Sequence, residues 1–353
     1  MVKKFVYGTP FETEAVVKEI PSSEGNPDYG TFSTENGFSF TTKLADDDMV
    51  FGLGEANRGI NKRGFLYISD CADDPNHVES KTSLYAAHNF IIISGKTHVG
   101  FFFDYPGTLR FDIGYTTSDT MTVSCENADL YVYMITGDSD LDIVKQFRGI
   151  IGRSYIAPKF AFGYGQSRWG YKTEDDFRTV VKKYRENHVP LDMVYMDIDY
   201  MQDYKDFTVN EERFPDFEGF VQDMKKEKIH LVPIIDAGVK VEEGYDIYEE
   251  GCEKGYFCRR EDGSYFEATV WPGWTHFPDV LNADARKWFG DKYDVLVSKG
   301  IDAFWNDMNE PSIFYSQEGL ADFKETAKKY VEGDPEVPHY MSRWKASGTG
   351  KQP

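Results

Sequence analysis

The sequence predicts a chain in two parts, an all-β sandwich followed by a parallel α/β sheet with helices outside it. Up to about Ile156, short segments rich in Val, Ile, Phe, Tyr and Thr recur between Gly, Asp, Asn and Pro clusters, as in a sandwich. From Ala157 onward, short apolar strands alternate with amphipathic helices, which is the rhythm of a parallel sheet. The 353 residues also suffice for two domains of ordinary size.

The first part contains six strand candidates and one helix. The runs FIIIS and LYVYM are almost wholly apolar and predict core strands. Strands are predicted over 37–42, 90–94, 99–103, 108–113, 121–124 and 130–134, and an amphipathic helix over 140–149.

A polar stretch, 52–88, interrupts the first part and carries adjacent carboxylates at Asp73 and Asp74. One interpretation is a solvated loop with Asx turns ahead of Pro75. The other is a loop that reaches the cleft of the neighbouring domain. The stretch, which includes His77, matches neither a calcium loop nor a zinc spacing, so we expect no metal site and no cofactor.

The second part contains four predicted strands separated by helices. Thr173 is a plausible N-cap for the first of these helices. Strands are predicted over 160–165, 193–198, 230–235 and 302–305, and helices over 174–187, 217–226, 245–254 and 287–299, with a further helix over 320–331.

Polar and aromatic side chains follow the predicted strands of the second part. If the sheet closes into a barrel, these side chains meet at one face, where a site built from strand ends would lie. Structural alternatives remain open, with Trp169 as packing, Asp199 and Asp236 as helix caps, and His276 as a hydrogen-bonded histidine. The residues in question are Arg168, Trp169, Asp197, Asp199, Asp236, Trp271, Trp274 and Asp307.

The stretch IDAFWNDMNEP, residues 301–311, carries the strongest chemical signal. An apolar run that ends abruptly in carboxylates is unusual, because a buried carboxylate costs several kcal/mol unless it is paired. We interpret Asp307 as a catalytic carboxylate and Glu310 as a residue that orders the strand end. The alternative is that Asp307 or Asn309 caps a following helix.

Composition narrows the class of partner. The net charge is −21, with 60 acidic against 39 basic residues, which argues against nucleic acid and anionic membranes as partners. Aromatic residues make up 16% of the chain, which suits a protein that stacks flat ligands on rings. Four scattered cysteines and the lack of a signal-peptide pattern predict a cytoplasmic setting.

These motifs together resemble a known enzyme family. WNDMNEP at 305–311 resembles the active-site signature of glycoside hydrolase family 31, which comprises retaining α-glucosidases and relatives such as α-xylosidases. The similarity extends to FGLGE at 51–55, GYGQSRWGY at 163–171, DIDYM at 197–201 and the FPDF and VWPG segments. It implies an N-terminal β-sandwich followed by a (β/α)8 TIM barrel.

The resemblance also implies a reaction and a set of site residues. Asp307 would be the nucleophile of an enzyme that removes α-linked glucose from the nonreducing ends of small oligosaccharides. No cofactor or metal is implied, and either Asp73 or Asp74 would point inward from its loop. The substrate-binding positions implied are Asp73, Trp169, Asp197, Ile198, Ile235, Trp271, Trp305 and Met308.

One part of the family pattern is not found in the sequence. The family's proton donor lies on a later barrel strand, whereas we count only the first four strands and no apolar strand after Asp307. We therefore expect residues 1–157 to form the sandwich, 158–335 the first half of the barrel, and 336–353 a polar tail. Activity would then require a C-terminal half from elsewhere, and the exposed sheet edges would favour self-association.

Three alternatives to an α-glucosidase follow from the same sequence. The chain could be a catalytically inactive carbohydrate-binding or assembly module, an α-xylosidase, or a transglycosylase of the same family. The sequence does not distinguish among them.

Overall fold

The computed structural model describes residues 1–71 and 74–331. The chain separates into two compact units, Met1–Tyr155 and Ile156–Pro353. No helix within the described ranges is both long enough and apolar enough to span a membrane.

Unit 1 consists of two five-stranded antiparallel sheets and one helix. Its elements are β1 (Val2–Tyr7), β2 (Thr31–Ser33), β3 (Phe38–Lys43), β4 (Met49–Gly52), β5 (Phe65–Ser69), β6 (Phe90–Ser94), β7 (His98–Asp104), β8 (Leu109–Ile113), β9 (Thr120–Cys125), β10 (Leu130–Gly137) and α1 (Asp140–Ile151). The strand orders are β1-β10-β7-β6-β4 and β2-β3-β9-β8-β5. This is the predicted β-sandwich.

The sandwich core is built largely from phenylalanines that alternate along the strands. Phe38 and Phe40 of one sheet are buried against Phe101 and Phe103 of the other, and the rings of Phe40 and Phe101 lie 4.7 Å apart. Inward and outward positions alternate because successive strand residues point to opposite faces.

Helix α1 covers the outer face of the first sheet. Ile92 points toward this helix, while its neighbours Ile91 and Ile93 point into the sandwich core. The rings of Phe90 and Phe147 stack in parallel at 3.9 Å. Strand β6 is therefore buried on both faces, which explains its uninterrupted apolar run.

Unit 2 contains a four-stranded parallel sheet with helices, and this is the predicted first half of a (β/α)8 barrel. Its elements are β11 (Gly165–Gln166), α2 (Glu174–Glu186), β12 (Met193–Met196), α3 (Phe217–Lys226), β13 (His230–Asp236), β14 (Val239–Lys240), α4 (Asp246–Lys254), β15 (Glu267–Val270), β16 (Gly273–His276), α5 (Ala283–Lys292), α6 (Asp294–Val297), β17 (Trp305–Asp307), β18 (Tyr315–Ser316) and α7 (Gln317–Val331). The parallel sheet has the order β11-β12-β13-β17.

Local capping signals fix the first helix of unit 2. The Thr173 hydroxyl accepts a hydrogen bond from the backbone N–H of Asp176, whose side chain in turn accepts one from the backbone N–H of Thr173. This capping box satisfies free backbone donors at the helix start. Buried Phe177 and Val181 then dock α2 onto the same apolar cluster as Val194 of β12.

Three predicted elements differ from those observed. Residues 160–165 form a 3-10 turn, Lys159–Phe162, and only then the short β11, because the N–H groups of Ala161 and Gly163 bond within the turn. The predicted helix 287–299 is two helices that meet at Tyr293.

The last predicted strand, 302–305, begins later than expected. Its pairing with β13 starts at Trp305, opposite Ile234. Asp302 lies outside the strand and pairs instead with the imidazole of His230, Oδ2 to Nδ1, at 3.0 Å.

A four-stranded antiparallel sheet in unit 2 is not predicted by the sequence analysis. It has the order β14-β16-β15-β18, and β18 is a short strand that follows Asp307 in the chain. This region contains a buried apolar cluster made of Ala268, Val270, Phe277 and Met308. Strand β18 has only two residues, is antiparallel and adds nothing to the parallel sheet, so among the described residues that sheet has the four strands expected.

Candidate active site

Three carboxylates gather at the C-terminal end of the parallel sheet. Asp197 directly follows β12, Asp236 ends β13 and Asp307 ends β17. Asp236 and Asp307 are register partners across β13 and β17. Because neighbouring strands lie roughly 4.8 Å apart and paired residues share a face, these two carboxyl groups lie side by side.

A turn anchored by the buried side chain of Met308 follows Asp307 at the strand end. Met308 has a φ of 60°, a left-handed conformation that a long side chain rarely adopts. Its side chain is buried with Ala268, Val270 and Phe277, and this packing supports the strained backbone. The turn reverses the chain immediately after Asp307, which leaves that carboxylate half-buried at the edge of the sheet.

Asp236 lies deeper than Asp307. Only 1% of the residue is exposed, and neither carboxylate oxygen has a hydrogen-bond partner among the described residues. Burial, together with the negative charges of Asp307 and Asp197, raises the pKa of Asp236 to about 7. Burial and these charges therefore favour the protonated form of Asp236 over a wider pH range than for an ordinary aspartate.

A second buried acid supports the backbone of Asp236. The Oδ1 of Asp206 accepts a hydrogen bond from the N–H of Asp236 at 3.1 Å, and the carbonyl of Asp206 accepts one from the Tyr245 hydroxyl at 2.7 Å. Burial and the neighbouring Asp236 carboxyl raise the pKa of Asp206 well above its ordinary value. Through this backbone hydrogen bond, Asp206 fixes the end of β13.

Asp197 is held differently. Its Oδ1 accepts a hydrogen bond from the N–H of Ile198 at 2.8 Å, which caps a single 3-10 turn, Ile198–Tyr200. Burial raises the pKa of Asp197 while this hydrogen bond lowers it, and the charges of Asp199 and Asp307 raise it further. Asp197 is thus held in one orientation beside the other two acids.

The helix-cap alternatives do not hold for Asp236, Asp199 or Asp307. The first helix after Asp236 is α4, which begins at Asp246, and the first after Asp307 is α7, which begins at Gln317. Asp199 lies inside the 3-10 turn and sits 3.7 Å from the guanidinium of Arg213.

Two tryptophans form an aromatic pair in the same unit, one exposed and one half-buried. Trp169 is 59% exposed, and its ring lies 5.7 Å from that of Trp271, in the turn between β15 and β16. The ring of Phe314 packs edge-on against Trp271 at 5.0 Å. This fixes Trp271 while leaving a face of the pair open to solvent.

The remaining sequence-predicted positions are more deeply packed. Ile198, Ile235 and Met308 are buried in the apolar clusters, and Trp305 is half-buried with its ring 6.0 Å from that of Tyr195. The substrate contacts of these four residues stay predictions. Asp73 lies outside the described residues.

His276 and Glu310 lie in different surroundings, and the role of Glu310 in ordering the strand end stays a prediction. His276 is buried, and its Nε2 lies 3.1 Å from the Oε1 of Glu267, so it is the hydrogen-bonded histidine of the structural alternative. Glu310 is half-buried, and its Oε2 lacks a hydrogen-bond partner in the described part of the chain. Within the same ranges, no three His, Cys, Asp or Glu side chains are arranged to hold a metal ion.

Comparison with known families identifies the family of the chain that carries these carboxylates. The model of the glycosyl hydrolases family 31 TIM-barrel domain matches residues 154–344, which is more than half of the chain. The chain belongs to glycosyl hydrolase family 31. The family 31 N-terminal galactose mutarotase-like domain matches residues 11–112, within the sandwich of unit 1.

Curated relatives and solved structures agree with this assignment. The chain is 37% identical to "Alpha-glucosidase 2" of Bacillus thermoamyloliquefaciens, over 77% of this chain and 35% of that protein. It is 28% identical to "Alpha-glucosidase" of Saccharolobus solfataricus, over 89% of this chain and 46% of that protein. A family 31 dextranase of Flavobacterium johnsoniae shares the fold with a TM-score of 0.74 at 23% identity, over 82% of this chain and 36% of that one.

The chain therefore spans between about a third and a half of the length of these relatives. The family 31 assignment applies to both units, since each is matched by its own domain model. Within the chain, the carboxylates at the strand ends and the Trp169–Trp271 pair are the features with which a glycosidase could work.

Proposed function

We propose that this chain carries the sugar-binding and nucleophilic part of a retaining α-glucosidase, with Asp307 as the nucleophile. The observation that supports this most directly is the position of Asp307 in a family 31 chain. It is half-buried at the C-terminal end of a parallel strand, beside two further carboxyl groups. Active sites of (β/α)8 enzymes lie at this end of the sheet.

The proposed step is a displacement at the anomeric carbon. An oxygen of the Asp307 carboxylate forms a bond to C1 of the sugar, and the bond from C1 to the glycosidic oxygen breaks. The electron pair of that bond stays on the leaving oxygen, which takes up a proton from solvent water. Water then cleaves the glycosyl ester, which releases the sugar and restores the carboxylate.

Asp197, Trp169 and Trp271 bind the sugar in this proposal. A carboxylate accepts hydrogen bonds from sugar hydroxyls, and the contact with Ile198 holds Asp197 ready to do so. The Trp169–Trp271 pair, of which Trp169 is the exposed member, offers flat apolar faces for the C–H side of a sugar ring. The names of the two curated relatives, both alpha-glucosidases, support α-linked glucose as the sugar.

Asp236 does not fit the role of the proton donor, although it is a raised-pKa carboxyl beside the nucleophile. The two carboxyl groups of a retaining enzyme flank the scissile bond, whereas Asp236 is 1% exposed and lies on the same side as Asp307. We assign no proton donor within 1–71 and 74–331, so the proposal covers sugar binding and formation of the glycosyl ester.

The experiment uses a substrate whose leaving group needs no proton. A fluorinated α-glucosyl fluoride releases fluoride without acid assistance, so it tests the nucleophile independently of any donor. Mass spectrometry of the wild-type chain should find one fluoroglucosyl group on the peptide that contains Asp307. The Asp307→Asn variant should stay unlabelled, and Glu310→Gln, which changes a carboxylate three residues away, should still be labelled.

Two outcomes would contradict the proposal. Label on a different carboxylate would reassign the nucleophile. Binding of maltose by calorimetry without any covalent label would favour the catalytically inactive carbohydrate-binding module instead.

A further inference from the structure

The acid beneath the proposed nucleophile has an unusual environment. Asp236 is almost completely buried, yet neither of its carboxylate oxygens has a hydrogen-bond partner among the described residues. Buried polar side chains are normally paired, and removing a charge from water without a partner is costly. A carboxyl group kept only for structure would be expected to have a partner, as Asp199 has in Arg213.

The strand register supplies the nearest candidate partner. Asp236 and Asp307 are paired across β13 and β17, so their side chains leave the sheet on the same face and about one strand spacing apart. The Oδ1 of Asp206 accepts a hydrogen bond from the backbone N–H of Asp236 and so fixes the position of the end of β13. The carboxyl of Asp236 therefore has a fixed origin next to the carboxylate of Asp307.

We propose that Asp236 is a positioning residue, whose protonated carboxyl donates a hydrogen bond to the Asp307 carboxylate and orients it for attack. A carboxylic acid can donate one hydrogen bond, and a carboxylate can accept it. Such charge-assisted bonds are among the stronger ones in proteins. This inference rests on the proposed role of Asp307 as nucleophile.

The groups around Asp236 favour its protonated form. Negative charge reaches Asp236 from Asp307 of β17 and from Asp197 at the end of β12, and the acid Asp206 lies beside it in the segment between β12 and α3. Tyr200, Tyr245 and Tyr293 surround Asp206, Tyr200 also lies near Asp236, and burial raises the pKa of all three hydroxyls. The guanidinium of Arg213 is engaged with Asp199.

The pH dependence of this arrangement follows from burial and charge, which raise the pKa of Asp236 to about 7. Below that pH, Asp236 carries the proton that it would donate. Above it, two carboxylates face each other and the orienting bond is lost. The reactivity of Asp307 should therefore fall as the pH rises through about 7.

The test compares three variants of the full chain by two measurements. The first is a ¹³C NMR titration of the Asp carboxyl carbons, which requires no catalytic activity. In the wild-type chain the Asp307 carbon should show a second titration step near pH 7 that belongs to Asp236. Asp236→Asn should abolish this step, whereas Asp199→Asn, which changes a matched buried acid with its own arginine, should retain it.

The second measurement is the rate at which the fluorinated α-glucosyl fluoride labels Asp307. Asp236→Leu should label at least about tenfold more slowly, the scale set by losing one hydrogen bond to a charged group. Asp236→Asn keeps a donor of similar shape, so it should label within about threefold of wild type and lose the decline above pH 7. A merely structural role would leave the pH profile of labelling unchanged.

The outcomes separate the two proposals. An Asp307 titration that is identical in wild type and Asp236→Asn would overturn the positioning role. An absence of labelling in every variant, with the NMR coupling intact, would overturn the proposed function while leaving the contact between the acids in place. If Asp236→Leu does not fold, the titration and the pH profile of Asp236→Asn decide the question.

Discussion

Replacing Asp236 with asparagine should stabilise unit 2 at alkaline pH but much less at acidic pH. The carboxyl has no hydrogen-bond partner among the described residues, so the amide breaks none of the contacts that the structure gives it. What the substitution removes is a group that ionises readily in the unfolded chain but reluctantly in the folded one. Comparing the two chains therefore isolates the cost of burying this acid.

The sign and size follow from proton linkage. The pKa of Asp236 is raised from 3.8 to about 7 in the folded chain, so between these values the folded state holds a proton that the unfolded state has released. Its contribution to stability is fully present below 3.8 and is lost as the pH rises through 7. A tenfold change in proton affinity corresponds to about 1.4 kcal/mol, so the full loss is roughly 4 kcal/mol.

The chain offers a convenient assay for this loss. All six tryptophans lie beyond residue 155, so intrinsic tryptophan fluorescence reports the unfolding of unit 2. Urea titrations of wild type and Asp236→Asn at pH 5 and pH 8 give the free energy of unfolding at each pH. The advantage of the variant should be roughly 3 kcal/mol larger at pH 8 than at pH 5, with any constant effect of the amide cancelling.

A surface substitution provides the control. Asp175→Asn, in the exposed first turn of α2, should change stability by about the same small amount at both pH values. If the difference between wild type and Asp236→Asn were the same at pH 5 and pH 8, Asp236 would not be a buried acid with a raised pKa. If Asp236→Asn were stabilised less at pH 8 than at pH 5, folding would lower the pKa of Asp236 rather than raise it.

Three further predictions concern the sandwich, a helix cap and the aromatic pair. Phe40→Ala should destabilise unit 1 by about 3–5 kcal/mol in denaturation followed by circular dichroism, because the ring is fully buried. A loss of stability below about 1 kcal/mol would mean that neighbouring side chains repack into the cavity. Thr173→Ala should cost about 1 kcal/mol in unit 2 by tryptophan fluorescence, and Thr173→Ser should cost much less if the cap is the cause. Trp271→Ala should weaken maltose binding by about tenfold or more in calorimetry. The control Trp274→Ala, which removes a ring packed on Tyr315, should weaken binding by less than about twofold. Equal losses in the two variants would mean that the sugar binds elsewhere.

The fold was predictable where the signal is local. Helix α2 was expected from its Thr173 cap and α3 from its spacing of apolar residues, and both lie where they were predicted. The start of β17 was missed because pairing with β13, rather than residue type, decides where a strand begins. The antiparallel sheet was missed because its strands pair across distant parts of the chain, such as Ala268 with Ser316.

The candidate site was predictable to a similar degree. Asp307 and Asp197 were predicted because each lies at or just after the end of an apolar run. Asp236 follows the run HLVPII in the same way, yet a single acid after a strand is equally consistent with a helix cap. The sequence did not indicate Asp206 as a site residue, because it lies in a polar loop. Its burial arises only from the packing of neighbouring elements.

The environment of Asp236 lowers the stability of the fold at a position for which we propose a functional role. An asparagine at this position would avoid an ionisation cost of roughly 4 kcal/mol above neutral pH, and that is a large part of the stability of a typical domain. Departures from such local rules are expected at functional sites, where the surrounding structure compensates for them. Asp206 and the buried core hold the acid in place, but neither pairs with its carboxyl oxygens. An acid that weakens the fold and lies beside the proposed nucleophile is better explained by the chemistry of Asp307 than by packing.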